Sequence, residues 1–575
     1  MLHFISHHIP HERVNSSRIY QMLLLGIDVG GTHTDAVAIG PDGLETQVKV
    51  ITEHDNLLSS IKNSLGEIVR NTDPGRIKQL NLSTTLSTNS IVEGNYEDVG
   101  VIVSAGPGLD PHSFMTCKDF HVIPGSLDHR GSESKRLDPL SLEEAIVSCR
   151  KAGIKVYAAV TKFSPRNPAH EKEIELAVGD NADFITLGHQ LTGRLNFPRR
   201  ISTAFYNCAV WRVFNKFADA IADTLDEMGL GHIKVNILKA DGGTMPLDIS
   251  RKVPVQSIFS GPAASVMGII ALCNITHDSI IYDIGGTTTD IAIFAGGSPL
   301  IEQEGIHIGS HPTLVRALKV HSIGIGGDSA ISILDTVVRV GPNRFGPSIA
   351  FGGETPTLTD ALIWKGSCDC GNIERSKNGF NAFAAKYGLD AEELADQAIG
   401  YAVDKIHDST RDLVEEINQQ PVYTIHELLE NRKIIPRKIY IMGGPAQAMK
   451  MDVFRKFRLS TEVPQNYDVA NAIGAALTRT TTELELFADT ERGQMFIPSL
   501  GHRENVPRNY NIEDAEKDAM NHLLAHLGEM HVASDGTNAQ ITSSSSFNMV
   551  NGSSTVGRNI RVKCQIKPGV NRIYS

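Results

Sequence analysis

The chain has 575 residues, of which 41% are hydrophobic and 21% are charged, and it carries a net charge of −12. This composition is typical of an ordinary globular protein, long enough for two or more domains, and it excludes a disordered or fibrous chain. The acidic balance, without a long basic run, argues against nucleic acid as a partner.

Residues 1–21 are predicted to form a polar N-terminal extension, because they contain no apolar signal-peptide core. The apolar runs of the sequence are too short to cross a bilayer, so no membrane association is expected. The seven cysteines are scattered and odd in number, which is typical of reduced thiols. We therefore expect a cytoplasmic protein.

The phrase DVGGTHTD at 28–35 recurs as DIGGTTTD at 283–290. In each copy a short apolar run ends at two glycines, and a β-rich alternating run follows. A P-loop or a dinucleotide-binding fold requires a helix after the glycines instead. Two matching copies predict an internal duplication of a strand–turn–strand unit, with two coincidental tight turns as the alternative.

Strands and helices alternate around the two copies, which predicts an α/β layer structure in each half. A stripe of apolar residues at helical spacing predicts one long helix that ends at Gly229. Beyond about residue 480, a helix and hairpins around Asn551-Gly552 predict a small C-terminal α+β module, with the serine run 543–546 as a loop. Further strands are expected at 99–106, 153–160, 232–238 and 438–442, and a further helix at 140–153.

Each copy of the phrase contains the groups that a nucleoside triphosphate requires, namely accessible backbone N–H groups, hydroxyl donors and a carboxylate for Mg²⁺. Asp28 and Asp283, at the strand ends, are the candidates for holding Mg²⁺ or orienting water. Two such hairpins facing each other would grip one triphosphate from both sides. The phosphate-binding candidates are Gly30, Gly31, Thr32, Thr34, Gly285, Gly286, Thr287 and Thr289.

His33 and the last aspartate of each copy of the phrase have two interpretations each. Strand alternation places Thr32 and Thr34 on one face and His33 and Asp35 on the other. Asp35 and Asp290 therefore either share the metal site or brace their hairpins. His33 is either a general base or a surface or packed histidine.

Two later segments are candidates for the same cleft. Gly443 and Gly444 follow a predicted strand and are placed to lie against an adenosine, with a plain strand-to-helix turn as the alternative. The segment DVANAIGAALT at 468–478 begins a helix of small residues, which suits close packing around the cleft.

The paired Asp-x-Gly-Gly-Thr hairpins and the late Gly-Gly pair resemble the superfamily of actin, sugar kinases and heat-shock ATPases. Over about 22–480 the ordered motifs resemble, more closely, the hydantoinase A/oxoprolinase family. Besides the two hairpins, the motifs are STTLSTNSIVEG (83–94), SPRNPAHEKEI (164–174), SGPAASVMG (260–268), SIGIGGDSA (322–330) and TLTDALI (357–363).

The resemblance implies an α/β fold with two duplicated actin-like ATPase (ribonuclease H-like) domains around a nucleotide cleft. It implies a hydantoinase/oxoprolinase N-terminal domain at 22–200, a hydantoinase A-like ATPase domain at 201–480 and the helix-and-hairpin module at 481–575. It further implies an enzyme that uses ATP and Mg²⁺ to hydrolyse the amide bond of a cyclic amide, such as a hydantoin or 5-oxoproline, through a phosphorylated carbonyl.

By resemblance, Asp28 and Asp283 are the metal and water carboxylates, and Gly443 and Gly444 contact the nucleoside. A hydantoinase B-type subunit is an expected partner, and a homo-oligomer is a further expectation. A small-molecule kinase and a chaperone-like ATPase are alternatives, because the fold alone does not decide the activity.

Three stretches are candidates for the substrate side. Thr85, Thr88 and Asn89 lie in a segment similar to the family's Thr-Thr-x-x-x-Asn, with helix capping by Ser83 or Thr85 as the alternative. Another glycine loop, with Gly326, Gly327 and Asp328, is expected to border phosphate or substrate. His33 stands where the family usually has an aromatic residue, and Asp328 where it has a third glycine.

Overall fold

The computed structural model describes residues 22–53, 56–302, 304–335, 337–419, 433–532 and 538–571. The predicted N-terminal extension, 1–21, lies outside the described residues. Strands and helices alternate over most of the chain, which confirms the expected α/β class.

The part of the chain that precedes the second copy of the phrase forms the first set of elements. Its strands are β1 (Leu23–Val29), β2 (His33–Gly40), β3 (Gly43–Ile51), β4 (Ile77–Thr84), β5 (Val99–Ser104), β6 (Phe120–Val122), β7 (Ser126–Leu127), β8 (Glu133–Lys135), β9 (Val156–Thr161), β10 (Phe184–Leu187), β11 (Lys234–Leu238) and β12 (Thr244–Pro246). Its helices are α1 (Leu57–Asn71), α2 (Leu86–Val92), α3 (Pro139–Lys151), α4 (Ala169–Val178), α5 (Gly188–Leu191), α6 (Phe197–Glu227), α7 (Leu247–Ser250) and α8 (Ser260–Leu272).

The remainder of the chain forms the second set. Its strands are β13 (Ser279–Ile284), β14 (Thr289–Ala295), β15 (Ser298–Pro299), β16 (Ile301–Glu302), β17 (His307–Ile308), β18 (His311–Pro312), β19 (Ala317–Leu318), β20 (Val320–Ile323), β21 (Ile331–Leu334), β22 (Val337–Val340), β23 (Lys438–Met442), β24 (Ser460–Glu462), β25 (Glu483–Asp489), β26 (Gln494–Ile497), β27 (His502–Asn505), β28 (Ala539–Asn551) and β29 (Ser554–Ile566). Its helices are α9 (Leu358–Trp364), α10 (Ile373–Lys386), α11 (Ala391–Gln419), α12 (Ala446–Phe457), α13 (Ala470–Leu477) and α14 (Ile512–Glu529).

Two large sheets share one strand order. The first sheet, listed from β3, runs β3-β2-β1-β4-β11-β12. The second sheet runs β15-β14-β13-β23-β24, and β20 also pairs with β14. In each sheet the first three strands of this order are antiparallel to their neighbours. The next two strands are parallel to the third, which is β1 in the first sheet and β13 in the second. The shared order and direction confirm the predicted duplication and the two actin-like (ribonuclease H-like) domains.

The two copies of the phrase occupy equivalent places in this duplication. In the hairpin β1–β2, Asp28 pairs with Asp35 across the strands, and in the hairpin β13–β14, Asp283 pairs with Asp290. Glycine turns join the strands in both hairpins, as predicted. The repeat in the sequence is therefore a repeat in three dimensions, residue for residue.

Helices α8 and α13 lie between the two sheets. A single buried cluster contains Val37 of β2, Met267 of α8, Ile281 of β13 and Ile473 of α13, so the core between the sheets is continuous. On the far side of the first sheet, α1 and α6 cover a second core. The long helix expected to end at Gly229 is confirmed, since α6 runs to Glu227.

Contacts of main chain with main chain hold α13 in place. A Cβ atom on Gly26 of β1 would lie 2.1 Å from the carbonyl oxygen of Ala472, and one on Gly474 would lie 2.3 Å from the amide nitrogen of Gly268. Both distances are far below a van der Waals contact, so only glycine permits this packing. The small residues predicted to suit close packing do pack closely.

A four-stranded parallel sheet, β10-β9-β5-β6, is inserted between β4 and β11. The motif SPRNPAHEKEI supplies Glu171, which forms a buried ion pair with Arg200 of α6; both side chains are fully buried and 3.6 Å apart. Glu171 accepts hydrogen bonds from His189 Nδ1 (2.6 Å) and the Thr161 amide (2.8 Å). This motif therefore stabilises the fold.

The C-terminal module consists of the antiparallel sheet β27-β26-β25-β29-β28 with α14 packed on it. The hairpin predicted at Asn551-Gly552 joins β28 to β29. The loop predicted for the serine run is wrong, because residues 543–546 lie within β28 and pair with β29. Pairing along the whole of a long neighbouring strand outweighs the turn preference of serine.

The expected domain boundaries stay predictions, although residue 200 lies inside α6 and the later strands β11 and β12 belong to the first sheet. No helix in the described ranges is long and apolar enough to cross a membrane.

Candidate active site

The turns of the two repeated hairpins approach each other. A Cβ atom on Gly286 would lie 2.9 Å from Thr32 Cγ2 of the first hairpin and 3.1 Å from Asp328 Oδ2. The two copies of the phrase therefore form a single site between the sheets.

Each turn contains backbone N–H groups that the hydrogen bonds of the hairpin do not use. The hairpins close in the same way, since Gly30 N–H donates to the carbonyl of His33 and Gly285 N–H to that of Thr288. Successive N–H groups in such turns form concavities that bind anions. Within the described residues, no acceptor is found for the N–H groups of Gly31, Thr32, Gly286 and Thr287.

One amide group connects the carboxylates of the two hairpins. Asn471 Nδ2, at the start of α13, donates to Asp28 Oδ2 (3.3 Å) and to Asp283 Oδ2 (3.1 Å). Ser265 Oγ, on α8, donates to Asp283 Oδ2 at 2.6 Å. The sequence predicted the two carboxylates but missed Asn471 and Ser265. The available signal was that each is a polar residue in a segment of small apolar ones.

Buried oxygen atoms without partners lie at the same place. Asp28 Oδ1 and Asn471 Oδ1 are buried and form no hydrogen bond with any group in the described part of the chain. A buried polar atom without a partner is costly, and carboxylate and amide oxygens are the ligands that Mg²⁺ prefers. The donor set at Asp28, Asp283 and Asn471 therefore fits Mg²⁺ or its bound water.

The ionisation of Asp28 is shifted strongly. Burial raises the pKa of Asp28 to about 7, and the charges of Asp35 and Asp283 act in the same direction, while Ser83 and Asn471 oppose them. A cation would favour the ionised form and remove this shift. Binding of a metal ion at Asp28 would therefore be coupled to loss of a proton near neutral pH.

Asp35 and Asp290 brace their hairpins and interact electrostatically with Asp283. Asp35 forms an ion pair with Lys49 of β3, and Ser322 of β20 donates a hydrogen bond to Asp290. Burial raises the pKa of Asp35, and it raises the pKa of Asp290 to about 7, with the charge of Asp283 contributing to both shifts. These contacts support the bracing interpretation, and a role of Asp35 and Asp290 at a metal stays a prediction.

Thr34 and Thr289 do not face the cleft. Both side chains are fully buried: Thr34 Oγ1 is bonded to Thr52 Oγ1 (3.0 Å), and Thr289 Oγ1 donates to the carbonyl of Ile325 (2.7 Å). The expectation that they donate to phosphate is corrected on this ground. Thr32 belongs to the turn and not to β2, so strand alternation does not relate its direction to that of Thr34.

Gly326 and Gly327 pack against the turn of the second hairpin. The N–H of Gly327 donates to the carbonyl of Gly285 (2.9 Å), and the N–H of Gly326 donates to Ser329 Oγ (2.8 Å). Because both N–H groups are used within the protein, the expected contacts with phosphate are corrected to a bracing role. Asp328 extends beyond them and pairs with Arg344 at 3.1 Å.

His33 and Asp328 influence each other electrostatically, because Thr32, next to His33, and Asp328 both lie beside Gly286. The two residues belong to different halves of the duplication. His33 is exposed, with Nδ1 3.3 Å from Thr32 Oγ1. Partial burial and the charge of Lys49 lower the pKa of His33, while the charge of Asp328 opposes them. A neutral imidazole at neutral pH follows from the direction of this shift.

Thr85, Thr88 and Asn89 lie at the start of α2. Thr88 Oγ1 accepts a hydrogen bond from the Phe259 amide (3.0 Å), and Asn89 Nδ2 donates to Thr85 Oγ1 (3.4 Å). The capping alternative is confirmed in part: Thr85 is the N-cap residue of α2, but its side chain makes no capping hydrogen bond, and Ser83 lies inside β4. The segment contacts the loop that precedes α8.

A cavity of about 370 Å³, which the sequence did not predict, adjoins this loop. Ser322, the hydrogen-bond donor to Asp290, lines one part of it. The apolar part of the lining comes from α8, β19 and neighbouring segments, with Phe259, Pro262, Ala263, Ile306, Leu318 and Val320.

Gly443 passes directly over Asp283. Its φ is +90°, and a Cβ atom there would lie 2.3 Å from the Ile284 carbonyl oxygen and 2.7 Å from Asp283 Oδ1. Gly444 has no such neighbour within 4 Å, so it borders open space. The expected contact of these glycines with a nucleoside stays a prediction.

Two family models match the chain. The model for hydantoinase/oxoprolinase matches residues 200–484, and the model for the hydantoinase/oxoprolinase N-terminal region matches residues 24–180. The two matches include both repeated hairpins, the ion-pair motif and Asn471.

Two curated relatives extend this similarity. The chain is 26% identical over 469 residues to the caprolactamase subunit alpha of Pseudomonas jessenii, covering 74% of this chain and 66% of that protein. It is 24% identical over 410 residues to the 5-oxoprolinase of Saccharomyces cerevisiae, covering 60% of this chain and 31% of that protein. The chain thus spans slightly less than two thirds of the first relative and about a third of the second.

Solved structures of two proteins share the fold. A nucleotide-free acetone carboxylase, studied for ATP-dependent acetone carboxylation, has a TM-score of 0.69 at 15% identity, with 96% of this chain and 88% of that chain covered. The ATP-dependent caprolactamase from Pseudomonas jessenii has a TM-score of 0.68 at 18% identity, with 94% and 87% covered.

Proposed function

The chain belongs to the hydantoinase/oxoprolinase family, and we propose that it is an ATP-dependent hydrolase that opens the amide bond of a cyclic amide of the hydantoin or 5-oxoproline type. The observation that carries this proposal is the pair of facing hairpins whose carboxylates, Asp28 and Asp283, are held on Asn471. The names of the two curated relatives, a caprolactamase and a 5-oxoprolinase, support a cyclic amide as the substrate.

In this proposal the phosphates of ATP bind between the two turns. Asp28, Asp283 and Asn471 hold Mg²⁺, which when bound neutralises the charge that develops on phosphoryl transfer. Gly443 and Gly444 lie on the nucleoside side, as expected from the resemblance. The proposed phosphate contacts are the N–H groups without acceptors, those of Gly31, Thr32, Gly286 and Thr287.

Phosphoryl transfer explains why such an enzyme consumes ATP. An unstrained lactam is a weak electrophile, and attack of its carbonyl oxygen on the γ-phosphorus, with loss of ADP, makes the ring carbon susceptible to water. After water adds, the carbon–nitrogen bond breaks and the amine takes up a proton. The remaining acyl phosphate reacts with a second water to give a carboxylate and free phosphate.

We place the ring in the cavity of about 370 Å³ between α8 and β19–β20. The lining is mixed: its apolar part suits the hydrocarbon part of a ring, and Arg199, Glu302, Glu304 and His307 offer polar contacts to the amide. Ser322 connects the cavity to Asp290. A carboxylate with a pKa of about 7, as at Asp290, is suited to take a proton from the attacking water. His33, Asp328, Thr85, Thr88 and Asn89 remain candidates at the entrance.

We also propose that a second, B-type subunit takes part in the reaction. The caprolactamase relative is named subunit alpha, and the yeast 5-oxoprolinase extends far beyond the part that this chain matches. All seven cysteines are free thiols, which supports the cytoplasm as the proposed location.

The test is ATP hydrolysis by the purified chain, with and without a B-type subunit, across a panel of lactams and hydantoins. We expect one ring class to stimulate release of free phosphate in proportion to the opened amino acid. Phosphorus NMR of the mixture separates this outcome from a kinase, which would leave a stable phosphorylated product. Absence of stimulation by every ring, with the second subunit present, would refute the proposal.

A further inference from the structure

The C-terminal module brings together three metal-ligating side chains that are not part of the cleft. His502 and Glu504 lie on β27, and His522 lies on α14. Their ligand atoms all lie within 4.8 Å of one another. In the described ranges this is the only cluster of three or more such side chains that meets this distance.

The local structure explains why these residues converge. Alternate residues of a strand point to one face, so His502 and Glu504 share a face of β27. Helix α14 packs on the sheet through a buried stripe that includes Ala519 and Leu523. His522, next to Leu523, therefore lies at the border of the packed face, and its ring centroid is 4.3 Å from that of His502.

The distances suit coordination of one ion. His502 Nε2 lies 3.4 Å from Glu504 Oε2, and two ligand atoms of a tetrahedral Zn²⁺ site lie about 3.3 Å apart. The side chains of His502 and Glu504 are 37% and 59% exposed. An ion can therefore reach them from solvent.

We propose that His502, Glu504 and His522 form a binding site for a divalent transition metal ion such as Zn²⁺, with water as the fourth ligand. Two imidazoles and one carboxylate are the ligands that Zn²⁺ and its neighbours prefer, whereas Mg²⁺ and Ca²⁺ require mainly oxygen. The site is thus different in chemistry from the carboxylate cluster at Asp28 and Asp283.

Metal binding there would fasten the edge of the sheet to the helix. β27 is the last strand of its sheet and pairs with β26 alone. A metal bridge from β27 to α14 adds a link that the hydrogen bonds of the sheet do not supply. Because the ion binds the folded arrangement of the three ligands, it stabilises the module, and the stabilisation rises with the logarithm of the free ion concentration above the Kd.

The test is binding of Zn²⁺ to the full chain after treatment with a chelator, measured by calorimetry, with Co²⁺ absorption as a second readout. Residues 1–21 contain four histidines, His3, His7, His8 and His11. Occupancy of the proposed site is therefore measured as the difference between the Zn²⁺ equivalents bound by wild type and those bound by the His522→Ala variant. We expect that variant to lose one equivalent, or to bind it at least about 100-fold more weakly.

The matched control is His526→Ala, one helical turn further along α14 and outside the cluster. It should keep the full stoichiometry and the metal-dependent rise in Tm. His502→Asn, on the edge strand, provides a second variant if His522→Ala does not fold. Equal stoichiometry and affinity in wild type, His522→Ala and His502→Asn would overturn the proposal.

Discussion

The carboxylates of Asp28 and Asp283, one from each half of the duplication, accept hydrogen bonds from the same amide nitrogen, Asn471 Nδ2. Two carboxylates repel each other unless a donor or a cation lies between them. Asn471 provides the donor, and the buried oxygens without partners provide ligands for a cation. The predictions for the cleft follow from this arrangement.

Replacing Asp283 by Asn should abolish ATP hydrolysis while the chain stays folded. Loss of one metal ligand removes several kcal/mol of charge stabilisation in phosphoryl transfer, which is at least about 100-fold in rate. Steady-state phosphate release measures the effect. Asp42→Asn, in the exposed turn between β2 and β3, is the control and should leave turnover unchanged. Wild-type turnover in Asp283→Asn would disprove the two-hairpin site.

Replacing Asn471 by Ala should weaken Mg²⁺-ATP binding by about tenfold or more, because a buried hydrogen bond to a charged group is worth about 1.5–3 kcal/mol. Isothermal titration with a non-hydrolysable ATP analogue measures the affinity. Asn505→Ala, on the exposed edge strand β27, is expected to bind as wild type does. An unchanged affinity in Asn471→Ala would mean that the amide does not organise the carboxylates.

The effect of Mg²⁺ should depend on pH through Asp28. An acid whose pKa is raised by the fold contributes stability that is complete below its unfolded pKa of about 3.9 and is lost as the pH rises through about 7. Without metal, Tm should fall over this range by more in wild type than in Asp28→Asn. Added Mg²⁺ should raise the Tm of wild type more at pH 8 than at pH 6, because the ion binds the deprotonated carboxylate. A Mg²⁺ effect independent of pH would contradict this assignment.

Replacing Gly31 by Ala should lower ATP affinity without lowering Tm. No atom lies within 4 Å of the added Cβ, so the protein has room for it, whereas a phosphate bound at the turn would meet it. Gly400→Ala, within α11, is the matched control and should raise stability by about 0.5–1 kcal/mol with no change in affinity. Normal ATP binding in Gly31→Ala would move the phosphates away from this turn.

Replacing Glu171 by Gln should destabilise the fold by about 3–5 kcal/mol, because it leaves Arg200 buried without its counter-charge. Although burial alone would raise it, bonding to His189 and the charge of Arg200 hold the pKa of Glu171 below its usual range. The stabilisation is therefore present above about pH 4.3, the unfolded pKa, and is lost as the pH falls through the lower folded value. Chemical denaturation at pH 7 measures the first effect, and a series from pH 5 downward measures the second.

The repeated phrase made the duplicated hairpins predictable, because a strand–turn–strand unit is encoded by local residues. That the two hairpins face each other was also predictable, because two copies of one phosphate-binding unit suit a site that grips one triphosphate from both sides. Asn471 and Ser265 were not predictable, since their roles depend on where α8 and α13 lie between the sheets. Local sequence carries no record of such contacts between distant segments.

Four expected phosphate contacts were corrected because the donor groups already make hydrogen bonds within the protein. The sequence shows that Thr34, Thr289, Gly326 and Gly327 have suitable donors, but it does not show that other parts of the protein already occupy them. The cavity beside Phe259 could not be foreseen either, because its lining comes from separate segments of the chain.

The glycine contacts of α13 have a mechanical consequence. With main chain against main chain at Gly26, Gly268 and Gly474, this helix and α8 cannot slide on their neighbours without collision. Any change in the angle between the two halves that preserves these contacts must pivot on this pair of helices. Ser265 and Asn471 belong to the pair, so the two carboxylates sit beside the pivot. Opening the cleft to exchange nucleotide would displace them least and the outer rim most.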